Sequence, residues 1–290
     1  MASSTSPAPR RRPPTLLIIG GAEDRVGKAT VLRRFVRLAG GKRARIVLIP
    51  TASSFQDEVV AAYTEVFTRL GAPEPTVVNP QDRLESQDQA LVRLLDDATG
   101  IFMSGGSQLK LSQRFPGTPL GDALHRAHAR GAVIGGTSAG ASIMSQFMIS
   151  MGDEGITPRQ RHSQLSAGLG LLQGAIIDQH FAQRSRYGRL MSMVAASPSL
   201  IGIGIDEDTA IEVRDQRTFT VHGSGAVFVL DCRAATSDAP DARRGAPLMV
   251  SGAVVHSLPA GATFDLSEVR LVDFVEKHPD VAVALASAKA

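Results

Sequence analysis

Short runs of aliphatic residues alternate along the first two thirds of the chain with segments in which apolar residues recur every three or four positions. The aliphatic runs, which predict strands, are "TLLIIGG" (15–21), "RIVLIPTAS" (45–53), "PTVVN" (75–79), "TGIFMSGGSQ" (99–108) and "AVIGG" (132–136). The segments between them, which predict helices, are "KATVLRRFVRLAGG", "QDEVVAAYTEVFTRLGA" and "PLGDALHRAHARG". This alternation predicts an α/β fold with a mainly parallel sheet flanked by helices.

The pattern changes after about residue 205, where short β runs such as "TAIEVRD", "TFTVHG" and "GAVFVLD" follow one another with only turns between them. They predict an antiparallel β extension, from about residue 209, that packs on the same core. We therefore expect one α/β domain over residues 15–290. The preceding segment 1–14, "MASSTSPAPRRRPP", is rich in Ser, Pro and Arg and is expected to be a disordered tail.

Composition narrows the class of protein without identifying it. The chain has 290 residues, of which 43% are hydrophobic, and this is enough for one large core. A single cysteine, Cys232, excludes an intrachain disulfide and favours the cytoplasm. No apolar run is long enough to cross a membrane, and the first residues lack the apolar segment of a secretory signal. Because no basic stripe with interleaved aromatic residues is present, we expect neither a nucleic-acid nor a membrane partner.

The stretch "GGAEDRVGKAT" lies between a predicted strand and a predicted helix, where a P-loop would lie. A P-loop requires G-x-x-x-x-G-K-[ST]. Here Gly21 is one residue too far from Gly27, and Ala29 replaces the metal-binding hydroxyl. The acids Glu23 and Asp24 would also repel phosphates. The sequence therefore argues against an NTPase, and we expect these acids to cap the next helix or to line a different pocket.

The segment Gly136-Thr137-Ser138-Ala139-Gly140 fits the pattern G-x-S-x-G of a nucleophile elbow. Small residues are needed there because the tight turn brings backbone segments together. Gly- and Ser-containing turns are common, so the pattern alone leaves Ser138 as a candidate. A serine is a weak nucleophile at neutral pH and requires a base.

His180 is the favoured base among seven histidines, because it directly follows the short strand "GAIID" at the edge where the predicted strands end. A third group must orient the base, and the strand "IGIGI" ends in three acids. Glu207 is the preferred acid and Asp206 the second choice, while capping of a turn is the alternative role for this cluster. The chain order Ser, His, Glu differs from that of α/β-hydrolases, in which the acid precedes the histidine.

Several segments together resemble peptidase family S51, and within it the members that degrade cyanophycin, multi-L-arginyl-poly-L-aspartate. In order over about residues 17–210 they are "IIGGAEDR", "FMSGGSQLKL", "GGTSAGAS", "GLGLL", "DQHFAQRSRYGRL" and "GIGIDEDTA". The resemblance implies a fold similar to class I glutamine amidotransferases and a serine exopeptidase that releases β-aspartyl-arginine dipeptides. One departure is "GGSQ" at 105–108, where many relatives are expected to have "GGNQ".

The resemblance also implies roles for individual residues. It implies a catalytic triad of Ser138, His180 and Glu207, and an oxyanion hole formed by the backbone N–H groups of Gly106 and Ala139. It further implies a homodimer that needs no cofactor and no metal.

Each repeat of such a polymer carries a guanidinium and a free carboxylate, so its binding site must offer both charges. The residues expected to bind it are Gln108, Asp178, Gln179, Arg184, Arg186 and Arg189. Arg186 and Arg189 are three positions apart, share a helix face and would repel each other without an anion, so a ligand or an acidic partner is expected between them. A solvated helix face is the alternative interpretation.

Two other functions remain open at this point. The first is an α-aspartyl dipeptidase of the same family, which would bind one aspartate and would not need three arginines after "DQHF". The second is a catalytically inactive amidotransferase-like binding module. The presence of Ser138, His180 and Glu207 together argues against the inactive module, because an inert copy has no chemical reason to retain all three.

Overall fold

A computed structural model describes residues 13–274, and a nine-stranded sheet forms its centre. Residues 1–12 of the predicted tail and residues 275–290 of the predicted domain lie outside the described residues. Five adjacent strands of this sheet are parallel, and in spatial order they are β1 (Thr15–Ile19), β5 (Val133–Thr137), β4 (Gly100–Met103), β2 (Ile46–Ile49) and β3 (Thr76–Val77). The predicted parallel core is therefore confirmed.

The C-terminal strands continue this sheet on the other side of β1 with antiparallel pairing. They are β10 (Thr209–Arg214), β11 (Thr218–Gly223), β16 (Ala262–Asp265) and β17 (Arg270–Phe274). Strand β10 pairs directly with β1, so this part of the extension belongs to the same sheet as the parallel core. The predicted C-terminal antiparallel β extension is confirmed.

Residues 13–274 also form a second sheet of four strands, which the hydrophobic pattern of the sequence did not distinguish from the first sheet. In spatial order it contains β15 (Val254–Pro259), β12 (Ala226–Asp231), β9 (Ile201–Ile205) and β8 (Ala175–Gln179), with β8 and β9 parallel. In the described part of the chain, two small hairpin-like sheets complete the β structure: β6 (Phe147–Gly152) with β7 (Ser163–Ala167), and β13 (Thr236–Ser237) with β14 (Val250–Ser251).

Within residues 13–274, seven α-helices cover the sheets: α1 (Thr30–Ala39), α2 (Gln56–Arg69), α3 (Gln89–Asp96), α4 (Gln108–Arg114), α5 (Pro119–Ala129), α6 (Ala139–Ser142) and α7 (Tyr187–Ala196). On one face of the large sheet, Phe35 of α1 and Phe67 of α2 pack against Phe102 of β4, with ring centroids 5.1 and 5.4 Å from that of Phe102. Aliphatic side chains of β1, β4 and β5 pack on the opposite face with α5. None of the helices within residues 13–274 is both long and apolar enough to span a bilayer.

The parallel arrangement brings the carboxyl ends of β1, β4 and β5 to one edge of the sheet. The loop 20–29 leaves β1 there, the Gly-Gly turn at 105–106 follows β4, and Ser138 follows β5. Loops at the carboxyl ends of parallel strands are where α/β proteins place their sites. The candidate residues of the sequence therefore converge at this edge.

Candidate active site

Ser138 occupies a sharp turn between β5 and α6, with φ 52° and ψ −110°. This conformation is unfavourable for a non-glycine residue, and such strain is typical of functional turns. A Cβ atom on Gly136 would lie 2.3 Å from the carbonyl oxygen of Gly140, and one on Gly140 would lie 2.2 Å from that of Met103. Both positions of the G-x-S-x-G pattern therefore require glycine because the backbone segments are in contact.

His180 follows β8, and its imidazole points to the elbow. Its Nε2 lies 3.0 Å from Ser138 Oγ. The backbone N–H of His180 donates to the carbonyl of Gly20 at the end of β1, over 2.8 Å, so the loop after β1 holds the histidine in place. The residue has φ 49°, a second strained position in the same site.

The three consecutive acids after β9 have different partners. Glu207 Oε1 lies 2.6 Å from His180 Nδ1. The Asp206 carboxylate accepts hydrogen bonds from the backbone N–H groups of Ala182 and Ala226, at 3.0 and 3.1 Å. Of the two acids that the sequence left open, Glu207 is thus the one within hydrogen-bonding distance of the histidine.

The third acid of the cluster, Asp208, accepts a hydrogen bond from the backbone N–H of Asp24 at 2.9 Å. It therefore fastens the loop after β1 to the start of β10. Turn capping, the alternative role considered for the cluster, describes Asp206 and Asp208 but not Glu207.

Burial lowers the pKa of His180 below its ordinary value of 6.5. The hydrogen bond with Glu207 opposes this effect, and the positive charges of Arg184 and Arg186 reinforce it. The imidazole is consequently neutral at neutral pH, which is the state in which it accepts a proton. With Nδ1–H donating to Glu207, Nε2 is left as the acceptor that faces the serine hydroxyl.

Within residues 13–274, the backbone N–H groups of Gly106 and Ala139, which lie near Ser138, donate no hydrogen bond. Gly106 has φ +138°, and a Cβ atom there would lie 2.2 Å from the carbonyl oxygen of Ala52, so the turn after β4 requires glycine. The neighbouring Gly105 packs against Ser138, since a Cβ atom on it would lie 3.3 Å from Ser138 Cβ.

Two of the three arginines after "DQHF", Arg186 and Arg189, form an internal network. Arg189 pairs with the fully buried Asp178 through two contacts, Nε to Oδ2 at 2.6 Å and Nη2 to Oδ1. Arg186 donates to the backbone and side-chain oxygens of Gln179, and its Nη1 lies 3.5 Å from Asp178 Oδ1. Burial lowers the pKa of Arg186 to about 10.

The acidic partner that Arg186 and Arg189 require therefore lies within the chain. The predicted contact between Asp178 and a substrate guanidinium is not supported by this placement, because the carboxylate is inaccessible and already paired. Arg186, Arg189 and Gln179 are also buried and do not line the cavity beside Ser138.

The two remaining candidates have different surroundings. Gln108 is half-buried, and its side-chain amide donates to the carbonyl of Ile149 at 2.7 Å, which connects α4 to β6. Arg184 is exposed, and its guanidinium makes no hydrogen bond or ion pair with residues 13–274. Its charge nevertheless acts on His180, so it lies near the base.

A cavity of about 250 Å³ opens beside Ser138 and His180, and several of its other wall residues were missed by sequence reasoning. Glu23 and Arg25 come from the loop after β1, and Tyr63 comes from α2. The buried Glu23 carboxylate accepts hydrogen bonds from Thr137 Oγ1, at 2.5 Å, and from the Tyr63 hydroxyl. The position of Glu23 at a strand end was the available signal, whereas nothing in the local sequence of α2 marks Tyr63.

Asp24 has the capping role that was expected for one of these acids. Its carboxylate accepts from the backbone N–H groups of Gly27, at 2.7 Å, and Ala29, at 2.9 Å, directly before α1. Both parts of the expectation for "GGAEDRVGKAT" are therefore met, one acid at the helix start and one in a pocket wall. In the described part of the chain, no three His, Cys, Asp or Glu side chains are arranged to hold a metal ion.

Comparison with known proteins identifies the family. The model of "Peptidase family S51" matches residues 16–221. The chain belongs to peptidase family S51. The cyanophycinase of Nostoc sp. is 35% identical over 272 residues, 93% of this chain and 91% of the relative. The cyanophycinase of Geminocystis herdmanii is 38% identical over 221 residues, 76% of this chain and 81% of the relative.

A solved structure supports the fold of this S51 peptidase. The crystal structure of a peptidase from an acI-B1 actinobacterium superposes with a TM-score of 0.61, at 22% identity, and covers 88% of this chain and 98% of that chain. The family and the fold class expected from the sequence are both confirmed, as is the prediction of a peptidase.

Proposed function

We propose that this S51 peptidase is a serine exopeptidase that hydrolyses cyanophycin to β-aspartyl-arginine dipeptides. The observation that carries the proposal is the alignment of Ser138 Oγ, His180 Nε2 and Glu207 Oε1, with distances of 3.0 and 2.6 Å across the imidazole. Two relatives that bear the name cyanophycinase and match most of the chain supply the substrate class.

In this mechanism His180 removes the proton from Ser138, whose oxygen attacks an aspartyl backbone carbonyl of the polymer. Glu207 accepts the Nδ1–H hydrogen bond, fixes the tautomer and stabilises the imidazolium that forms. The backbone N–H groups of Gly106 and Ala139 receive the oxyanion, because they have no other acceptor within the described residues. His180 then protonates the leaving amine, and water hydrolyses the acyl-enzyme.

In this proposal, the internal network of buried residues mainly positions the base, His180. Arg186 binds the carbonyl and side chain of Gln179, the residue before His180, and so fixes the end of β8. Arg184, which is exposed beside His180, is the member of the predicted set that is free to contact substrate. Gln108 contributes by holding α4 against β6 at the side of the Gly-Gly turn.

We also propose that the enzyme acts in the cytoplasm as a homodimer. The single, buried Cys232 supports a reducing compartment, since no intrachain disulfide can form. The dimer follows from the family resemblance, and sedimentation velocity of the purified protein tests it.

The experiment is clearing of a cyanophycin suspension by purified protein, with the released product identified by mass spectrometry. The matched variants are Ser138→Ala and Ser199→Ala, the second at an exposed serine that makes no side-chain hydrogen bond among residues 13–274. We expect clearing and β-aspartyl-arginine from the wild type and Ser199→Ala, and neither from Ser138→Ala with an unchanged circular dichroism spectrum.

Two results would contradict the proposal. Clearing by Ser138→Ala would exclude the serine as nucleophile. Hydrolysis of short α-aspartyl peptides without any clearing would move the protein to the dipeptidases of the same family. Labelling of wild-type protein but not Ser138→Ala by a serine-directed reagent would exclude the inactive binding module.

A further inference from the structure

Arg25 lies in the wall of the cavity that also contains Ser138 and His180, and it has no anionic partner among the residues that the structure describes. Its side chain is exposed, and its guanidinium forms no ion pair and donates no hydrogen bond within residues 13–274. The guanidinium carbon lies 5.8 Å from the centroid of the Tyr63 ring, within the range of a cation–π contact. The contact orders the arginine without neutralising its charge.

A continuous series of contacts fixes Arg25 relative to the nucleophile. The arginine lies over Tyr63, and the Tyr63 hydroxyl donates to the buried carboxylate of Glu23. The other oxygen of Glu23 accepts from Thr137, which directly precedes Ser138. The distance between the cation and the serine is therefore set by packed, hydrogen-bonded groups and not by a free loop.

The backbone around Arg25 is held as well. Arg69 of α2 donates to the carbonyl oxygens of Arg25 and Gly27, and the Asp24 carboxylate accepts from the N–H groups that follow. An arginine on a fixed backbone, stacked on a fixed ring, presents its donors in a defined direction, which favours recognition of a carboxylate.

The other arginines near the site have other roles. Arg186 and Arg189 are buried and bound to Asp178 and Gln179, and neither lines the cavity beside Ser138. Arg184 is accessible but does not line the cavity beside Ser138. Arg25 is thus the accessible arginine in the wall of that cavity.

We propose that Arg25 determines substrate specificity by binding the free α-carboxylate of the arginyl branch next to the scissile bond. The inference rests on the proposed function, because that polymer presents one such carboxylate in each repeat. Glu23 and Tyr63 are positioning residues for it, since they act through the ring on which the arginine lies.

The test uses two soluble oligomers of three β-Asp-Arg repeats, one with free branch carboxylates and one in which these are amidated. The enzymes are wild type, Arg25→Gln, Arg25→Lys and Arg184→Gln, with Arg93→Gln on α3 as the exposed control. A lost charge-assisted hydrogen bond corresponds to roughly 10- to 100-fold in affinity. We expect amidation to raise the wild-type KM by that factor, with a smaller change in kcat.

For Arg25→Gln we expect the same rise in KM on the free oligomer and no further rise on amidation, whereas Arg25→Lys restores part of the discrimination. Full discrimination by Arg25→Gln, or its loss only in Arg184→Gln, would overturn the assignment while leaving the proposed function intact. If wild type hydrolyses neither oligomer nor the polymer, the proposed function fails and the assignment fails with it.

Discussion

Arg189 and Asp178 form a two-point ion pair inside the protein, with Arg189 Nε 2.6 Å from Asp178 Oδ2. Asp178 is fully buried and Arg189 is 8% exposed. Their charges compensate each other in a largely buried environment, so a polymer would bind Arg189 only in competition with Asp178. The ion pair therefore stabilises β8, the strand that directly precedes His180.

Replacing one member of this pair is therefore expected to destabilise the fold. Arg189→Met leaves the carboxylate of Asp178 buried and unpaired, which corresponds to a loss of about 3–5 kcal/mol in the free energy of unfolding. Urea denaturation measures the effect. In the control Arg233→Met, the partner of Asp231 is half exposed, and a loss of about 1 kcal/mol or less is expected. Unchanged stability of Arg189→Met with a raised KM would instead assign this arginine to the substrate.

Replacing Asp206 should mainly affect stability, whereas replacing Glu207 should mainly affect catalysis. Glu207→Gln replaces the carboxylate beside His180 Nδ1 with a neutral amide. The amide no longer stabilises the imidazolium, and its NH2 group favours the wrong tautomer of His180, so we expect kcat to fall about 10³- to 10⁴-fold with little change in stability. Asp206→Asn weakens the acceptor of two backbone N–H groups, so we expect a loss of about 1–3 kcal/mol in stability and most of kcat retained. Dipeptide release and urea denaturation of both variants measure this. The reverse pattern would make Asp206 the third member of the triad.

The pH dependence of kcat/KM is expected to follow His180. The base acts in its neutral form, so activity is lost as the pH falls through the pKa of the imidazole. Because burial lowers that pKa, the midpoint of the acid limb should lie below pH 6.5. Arg184→Gln removes a positive charge that lowers the pKa, so the midpoint should move to higher pH, while Arg93→Gln should leave it unchanged. A shift to lower pH in Arg184→Gln would contradict this account.

The two tyrosines of the protein should resist ionisation. Burial, followed by the negative charge and hydrogen bond of Glu23, raises the pKa of Tyr63 well above 10. Burial and the charge of Asp206 also raise the pKa of Tyr187. In Tyr187→Phe, phenolate absorbance should therefore appear only as the protein unfolds at alkaline pH. In the double variant that adds Glu23→Gln it should appear at lower pH. A transition at pH 10 in native Tyr187→Phe would show that Tyr63 is not held in this network.

The sequence by itself predicted the parallel core, the antiparallel extension and the three residues aligned at the elbow. The reasons are local: aliphatic runs with helical segments between them leave few arrangements other than a covered parallel sheet. Such a sheet brings the ends of its strands, and the Ser, His and acid that follow them, to one edge. The sequence also indicated why glycine occurs on either side of Ser138, because the tight turn there leaves no room for a side chain.

Only the tertiary structure decided which charges are available to a ligand. The spacing of Arg186 and Arg189 indicates that an anion lies between them but not whether the anion is a substrate or Asp178 of the neighbouring strand, because that depends on burial. Arg25, Glu23 and Tyr63 come from separate segments, and their contact depends on how α2 packs on the loop after β1. The local pattern determined the elements and the position of Ser138 at a strand end, whereas the surroundings of each charged group were determined by packing between residues distant in the chain.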